Sequence, residues 1–281
     1  MLKAAADREA ANGGRRIVIG IVGVYVLLLV CCAVAAPAVA PYDPAGQRLE
    51  SRFSPPFSAG HLLGTDDFGR DVLSRIIWGA RPALMVGVIS VGLALILGLL
   101  FGLAAALGGG AVDNSIMLLM DSVLSFPTVL LAITVVAVLG YGVAQVMLAV
   151  GVIYSPVFAR IVRAETLSLK EQTFVLASRA LGSSLLRTVG SHILPNMLPR
   201  LLVQASATFS LAVVIESSLS FLGLGTQPPN ASWGLMLKDS RSYLLQAPWL
   251  AIYPGIAIAL TVFSFNFIGD VMAEKFGVRG R

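Results

Sequence analysis

The chain alternates long apolar runs with polar breaks. Six runs stand out, at residues 17–40, 82–107, 117–139, 143–158, 197–222 and 249–272. About 20 residues at 1.5 Å each cross the hydrocarbon layer of a bilayer, so the pattern predicts six membrane helices. The run at 143–158 is short, and its charged end, Arg160 and Arg163, is expected to continue the same helix into water. Two longer polar stretches separate the runs. One covers 41–81 and is rich in Pro and Gly; the other covers 159–196. In the second, Phe174, Ala177, Leu181 and Leu185 recur at helical spacing, and Gly182 interrupts them. Ser183 or Ser184 is placed to cap a following helix, and Pro195 to end the segment and restart the chain toward the fifth run. An apolar stripe on a short helix in water needs a cover. That cover is either the membrane surface or a groove on another protein.

Composition agrees with membrane residence. Hydrophobic residues make up 57% of the chain and charged residues 12%, whereas soluble domains carry about 25% charged residues. The run at 17–40 follows Arg15 and Arg16 and resembles a signal peptide. It is longer than the roughly 7–15 residues of a signal core, so it reads as a retained first helix. Basic residues set the orientation. With the N-terminus in the cytoplasm, Lys3, Arg8, Arg15, Arg16, Arg160, Arg163, Lys170, Arg179, Arg187, Arg200, Lys275, Arg279 and Arg281 fall inside. Arg48, Arg52, Arg70, Arg75, Arg81, Lys238 and Arg241 fall outside. Both termini are therefore expected in the cytoplasm. The net charge of +5 is absorbed by this bias. With no basic face carrying interleaved aromatics, no nucleic-acid partner is expected.

Catalytic chemistry finds no support. None of the four lysines follows a glycine, which excludes a Walker A loop, and no HExxH zinc motif occurs. His61 and His192 fall on opposite sides of the membrane, the adjacent Cys31 and Cys32 have no metal or redox spacing, and no apolar run contains the His or Lys of an intramembrane hydrolase. No catalytic residue and no metal ligand is assigned. Three groups merit attention. Glu216 lies within the fifth run, where an ionisable group is costly and faces either a pathway or a pairing partner. Asp121 and Ser125 precede Pro127 in the third run and fit either gating or helix packing. Asp66, Asp67, Arg70 and Asp71 in the first long loop either meet an external protein or pair with one another. Gly98 and Gly102 make a GxxxG spacing suited to close helix contact.

The stretch from Phe174 to Gly182, followed by His192-Ile193-Leu194-Pro195-Asn196, resembles the EAA loop of ABC importer permeases. Gly182 lies four residues after Ser178, and Leu194 twelve after Gly182, as in that pattern. His61-Leu62-Leu63-Gly64-Thr65-Asp66-Asp67-Phe68-Gly69-Arg70-Asp71 is similar to the outer-loop signature of the second permease in dipeptide, oligopeptide and nickel importers. Ser220-Phe221-Leu222-Gly223-Leu224-Gly225, Ala231-Ser232-Trp233-Gly234, Ala247-Pro248-Trp249 and Asn266-Phe267-Ile268-Gly269-Asp270 add to the match.

The resemblance implies an all-α, type I importer permease fold in the cytoplasmic membrane. Residues 1–81 would form a tail, first helix and outer loop, 82–272 the permease core with its coupling loop at 159–196, and 273–281 a tail. It implies a homologous second permease subunit, two ATP-binding subunits that hold ATP and Mg, an extracytoplasmic substrate-binding protein and surrounding lipid. This chain itself would hold no cofactor. Leu176, Ala177, Ser178, Gly182, Leu194 and Pro195 would couple it to the ATPases. The loop's usual glutamate is Leu176 here and its second alanine is Ser178. The solute implied is a di- or oligopeptide. A nickel chelate, glutathione or an opine on the same machinery is the alternative, and an ion-coupled secondary transporter a more distant one.

Overall fold

The computed structural model describes residues 2–58 and 60–278, with side chains from Arg15 onward in the first helix. Lys3, Arg8, Arg279 and Arg281 of the charge count lie outside the described side chains. Among the described residues the regular structure is helical and contains no strand. The helices are α1 (Leu2–Val39), α2 (Val72–Gly108), α3 (Gly110–Leu124), α4 (Thr128–Leu139), α5 (Val143–Leu169), α6 (Thr173–Ala180), α7 (Leu185–Thr188), α8 (Leu194–Phe221), α9 (Trp233–Ser240) and α10 (Trp249–Lys275). Among the described residues, five continuous helical paths are long and apolar enough to cross a membrane, and the α3–α4 pair makes a sixth if it counts as one span.

Three boundaries differ from the sequence expectation. The second span starts at Val72, not at Pro82, because Asp71 caps it: Asp71 Oδ2 accepts from Ser74 N at 2.8 Å. The turns between Val72 and Pro82 carry Ser74, Arg75 and Arg81, so hydropathy does not register them as helix. The third span is broken. α3 and α4 meet at 93° across Ser125-Phe126-Pro127, where Pro127 supplies no N–H and steers Phe126 out of helical geometry. The fifth span does not restart at Pro195. A π-helical turn at Val189–Ile193 joins α7 to α8, giving one helical path from Leu185 to Phe221. Pro195 sits in the first turn of α8, where a missing N–H is tolerated. The charged end of the fourth span continues as helix to Leu169.

The helices pack through small residues. α2 lies along α5 at Gly98 and Gly102. A Cβ on Gly98 would stand 2.3 Å from Phe158 Cβ, and one on Gly102 2.6 Å from the Ala159 carbonyl, so both positions require glycine. Val86, Val136, Val146, Val150, Ala212 and Leu219 form the centre where α2, α4, α5 and α8 meet. α8 and α10 are joined by stacked Phe209 and Phe265, 3.7 Å between ring centroids. Interhelical hydrogen bonds add Ser90 Oγ to the Met147 carbonyl at 3.0 Å and Ser210 Oγ to the Val262 carbonyl at 3.2 Å, each of about 0.6 kcal/mol by the average for membrane helices. α1 lies at the periphery, with Ile17, Ile21 and Leu27 exposed. Tyr25 ties it to α10 through Thr261 Oγ1 at 2.7 Å. Pro37 deprives the Ala33 carbonyl of its helical donor, and Arg81 Nε supplies a replacement at 2.6 Å.

Candidate functional site

The bundle has two polar ends of different construction. At one end α1 begins and α10 finishes, tied by an Arg15–Glu274 ion pair. Here α6 and α7 form the segment that the sequence singled out. α6 stops in a Schellman motif: Gly182 has φ +84, Gly182 N donates to the Arg179 carbonyl at 2.9 Å, and Ser183 N to the Ser178 carbonyl at 3.2 Å. Left-handed backbone explains the glycine; among the described residues, beyond its chain neighbours, nothing lies within 4 Å of a Cβ built there. Ser184 then caps α7 by accepting from Arg187 N.

The side chains of this segment point largely away from the bundle. Of α6, Val175 alone is buried. Phe174, Leu176 and Leu185 are about half exposed, and Leu181 and Leu186 are 88% and 87% exposed. Ala177 and Pro195 are exposed, and Leu194 is half-buried. Ser178, where the related motif has alanine, donates from Oγ to Ser183 Oγ at 2.9 Å and lies 3.1 Å from His192 Nε2. Its hydroxyl thus links α6 to the turn leading into α8.

Ion pairs fix this end to the spans. Asp121 is largely exposed and meets Arg160 at 2.6 Å. Asp113 takes both Nε and Nη2 of Arg163 at 2.5 Å, and Arg200 pairs with Glu165. Together they clamp α3 and α8 to α5. Ser125 donates to the Ser122 carbonyl at 2.7 Å and closes α3 at the break. Asp113 and Glu165 did not stand out in the sequence, since their partners lie 50 and 35 residues away and carry no local spacing signal.

The opposite end is built from the 40–71 loop and the 222–248 segment. Asp66 Oδ1 accepts the backbone N–H groups of Phe68 and Arg70, each at 2.9 Å, and its Oδ2 accepts from Arg70 Nε at 2.6 Å. Arg75, 1% exposed, lies within 4 Å of Asp66 and Asp239, and Arg70 also reaches Asp67 and Asp239. Asp71 caps α2 with one oxygen and meets His61 Nδ1 at 2.9 Å with the other. Asp66, Arg70 and Asp71 are buried, so these side chains serve the folding of the loop onto α9. Burial pushes the carboxyls of Asp67 and Asp239 up, with the nearby arginines opposing it. Gly69 has φ +71, and a Cβ there would lie 1.8 Å from the Arg48 carbonyl.

Glu216 is buried in this chain, 1% exposed. Its carboxylate accepts from Ser220 Oγ at 2.7 Å, Thr226 Oγ1 at 3.4 Å and Ser217 Oγ at 3.5 Å. No cation lies within ion-pair distance among the described residues. Ser220 Oγ in turn accepts from Thr226 N at 3.0 Å. The cluster therefore folds the segment after α8 back over the helix end. These partners follow Glu216 by one to ten residues, so their position near a predicted helix end was a usable signal.

This arrangement offers a transmembrane bundle, a protruding apolar segment at one end and a folded loop assembly at the other. Residues 94–279 match the family model described as "Binding-protein-dependent transport system inner membrane component". The dipeptide transport system permease protein DppC of Alkalihalophilus pseudofirmus is 40% identical over 268 residues, covering 95% of this chain and 88% of that protein. The glutathione transport system permease protein GsiD of Pectobacterium atrosepticum is 41% identical over 252 residues, covering 90% and 84%. Among solved structures, the MetNI methionine ABC transporter in an inward-facing conformation superposes with a TM-score of 0.59 at 19% identity, covering 72% of this chain and 95% of that one.

Proposed function

Because this chain belongs to the family of binding-protein-dependent transport system inner membrane components, we propose that it is the permease subunit of an ATP-driven importer whose solutes are di- and oligopeptides. The relatives named for dipeptides and for glutathione, itself a tripeptide, support that solute class. The chain acts as a transport subunit. ATP and Mg are bound by two separate ATP-binding subunits, a homologous second permease completes the pathway, and an extracytoplasmic binding protein delivers the solute. Both termini and the α6–α7 segment face the cytoplasm.

The observation that carries this reading is the α6–α7 segment, exposed and apolar at its tip yet joined without a break to α8. An exposed patch of this kind marks a partner surface. When the ATPases close, a segment seated in them is displaced. The continuous α7–α8 path passes that displacement to the far end of the bundle, and the Glu165–Arg200 and Asp113–Arg163 pairs carry α5 and α3 along. The pathway then switches between two openings as a two-state element biased from a distance.

The test is reconstitution. With the ATPases, second permease and binding protein in vesicles, the complex takes up labelled dialanine only when ATP is present on the α6–α7 side. Uptake without ATP, driven by an ion gradient, overturns the proposal. Orientation is tested separately in a background lacking Cys31 and Cys32. Leu245→Cys, fully exposed, reacts with an impermeant thiol reagent outside intact cells and Leu186→Cys does not; the reverse pattern inverts the topology.

A further inference from the structure

At the long-loop end lies a cavity of about 680 Å³ that none of the roles above uses. Its walls come from four parts of the chain: Asp43 of the long loop, Trp78 and Arg81 of α2, Tyr141 of the α4–α5 turn, and Gln227 and Asn230 of the segment before α9. The volume suits a small organic solute. The walls are tied to one another by hydrogen bonds. Gly142 N donates to the Leu224 carbonyl at 3.2 Å, joining two of them, and the Glu216 cluster holds Thr226 beside Gln227.

The cavity's lining holds one cation and one carboxylate. Its one cation, Arg81, is engaged: Nε and Nη2 donate to the Ala33 and Val34 carbonyls at 2.6 and 3.2 Å, and the guanidinium lies over the Trp78 ring, 4.7 Å from its centroid. Gln227 spends its amide N–H groups on the Gly223 and Gly225 carbonyls at 2.9 and 3.0 Å, leaving its amide oxygen as an acceptor. Among the described residues the Asp43 carboxylate accepts from Ala45 N, at 2.9 Å, and no cation pairs with it. The polar groups left over include the Asp43 carboxylate and the Gln227 amide oxygen, together with the Asn230 side-chain amide, beside the aromatic faces of Trp78 and Tyr141, the latter 63% exposed. Carboxylate, amide oxygen and aromatic faces together fit a primary ammonium.

We propose that this cavity receives the amino end of the solute, with Asp43 as the counter-charge and Tyr141 as the face against which the first residue rests. The inference rests on the peptide reading and deepens it. The permease would check for a free α-ammonium at its outer mouth, after the binding protein lets go.

The experiment is saturation-transfer NMR on the assembled complex in nanodiscs, without binding protein, using dialanine and N-acetyl-dialanine as probes. Dialanine gives the stronger transfer. Asp43→Asn keeps the acceptor for Ala45 N but removes the charge, and weakens dialanine binding about tenfold, the scale of one charge-assisted hydrogen bond. N-acetyl-dialanine is unaffected by that change. Tyr141→Ala weakens both peptides. Equal transfer to the two peptides, transfer to neither, or an Asp43→Asn complex with undiminished preference each overturns the proposal. Uptake of dialanine by the unmodified complex decides the peptide reading independently, so the two failures are distinguishable.

Discussion

The two polar ends of this bundle invest their side chains in opposite ways. At the long-loop end, two buried arginines, three carboxylates and a histidine are consumed in holding the 40–71 loop against α9. In the α6–α7 segment, most apolar side chains are left uncovered and the hydroxyls make short internal ties, such as Ser178 to Ser183. Buried charge tolerates little change, because removing one partner strands the other. An exposed apolar tip tolerates much in this chain alone and little once a partner covers it. One end is therefore expected to answer mutation through the stability of the fold, and the other through transport without a change in stability.

The largest effect belongs to Gly69→Ala. The new methyl would overlap the Arg48 carbonyl, and the φ of +71 is unfavourable for any side chain. The loop must unseat, so the detergent-solubilised protein should melt about 5–10 °C lower, roughly the shift of a few kcal/mol for a chain of this size. An unchanged melting temperature would remove the contrast between the two ends.

Gly182→Val sharpens the contrast from the other side. Among the described residues nothing crowds that position, but its φ of +84 is costly for a β-branched residue. Because α6 packs mainly through Val175, the melting temperature should stay within about 2 °C, the shift expected from no more than about 1 kcal/mol. Uptake and substrate-stimulated ATP hydrolysis should fall about tenfold or more, matching roughly 1.4 kcal/mol or more of lost docking. Normal transport at normal expression would exclude this segment as the coupling element.

Glu216→Gln probes the middle. The substitution replaces one acceptor oxygen with an amide N–H facing hydroxyls that already donate. The segment around Thr226 should loosen while the complex stays assembled. A single lost hydrogen bond of about 1 kcal/mol predicts an uptake decrease of about fivefold. Dissociation of the complex in detergent would instead assign Glu216 to contact with the second permease.

How much of this was legible in the sequence depended on range. Local patterns read well: the apolar runs, the tight contact at Gly98 and Gly102, the turn at Gly182 and the cap at Ser184 all rest on spacings of a few residues. The start of α2 was missed because a capping aspartate and a polar first turn carry no hydropathy. Pro127 announced a bend, but its 93° size depends on where α5 holds Asp113 and Asp121. Pro195 suggested a break that the π turn at Val189–Ile193 absorbs. The Arg75–Asp239 and Arg200–Glu165 pairs join segments that only the finished fold brings together.

The smallest effect is expected at Leu176, where the related motif has glutamate. The side chain is half exposed on α6, so Leu176→Glu opens no cavity. It trades some apolar contact area for a carboxylate facing Arg179 one turn on, a pairing of about 0.2–0.5 kcal/mol that offsets part of the loss. Leu181 and Leu186, far more exposed, still supply the apolar tip. If shape and apolar contact seat this segment in its ATPase, uptake by Leu176→Glu should remain within about twofold of the unmodified complex, a difference near 0.4 kcal/mol. ATPase affinity, measured by titrating the subunit onto nanodisc-embedded permeases, should move no further. A tenfold gain in that affinity would mean that the missing acid had left the contact weak, and that this end, like the other, depends on charge.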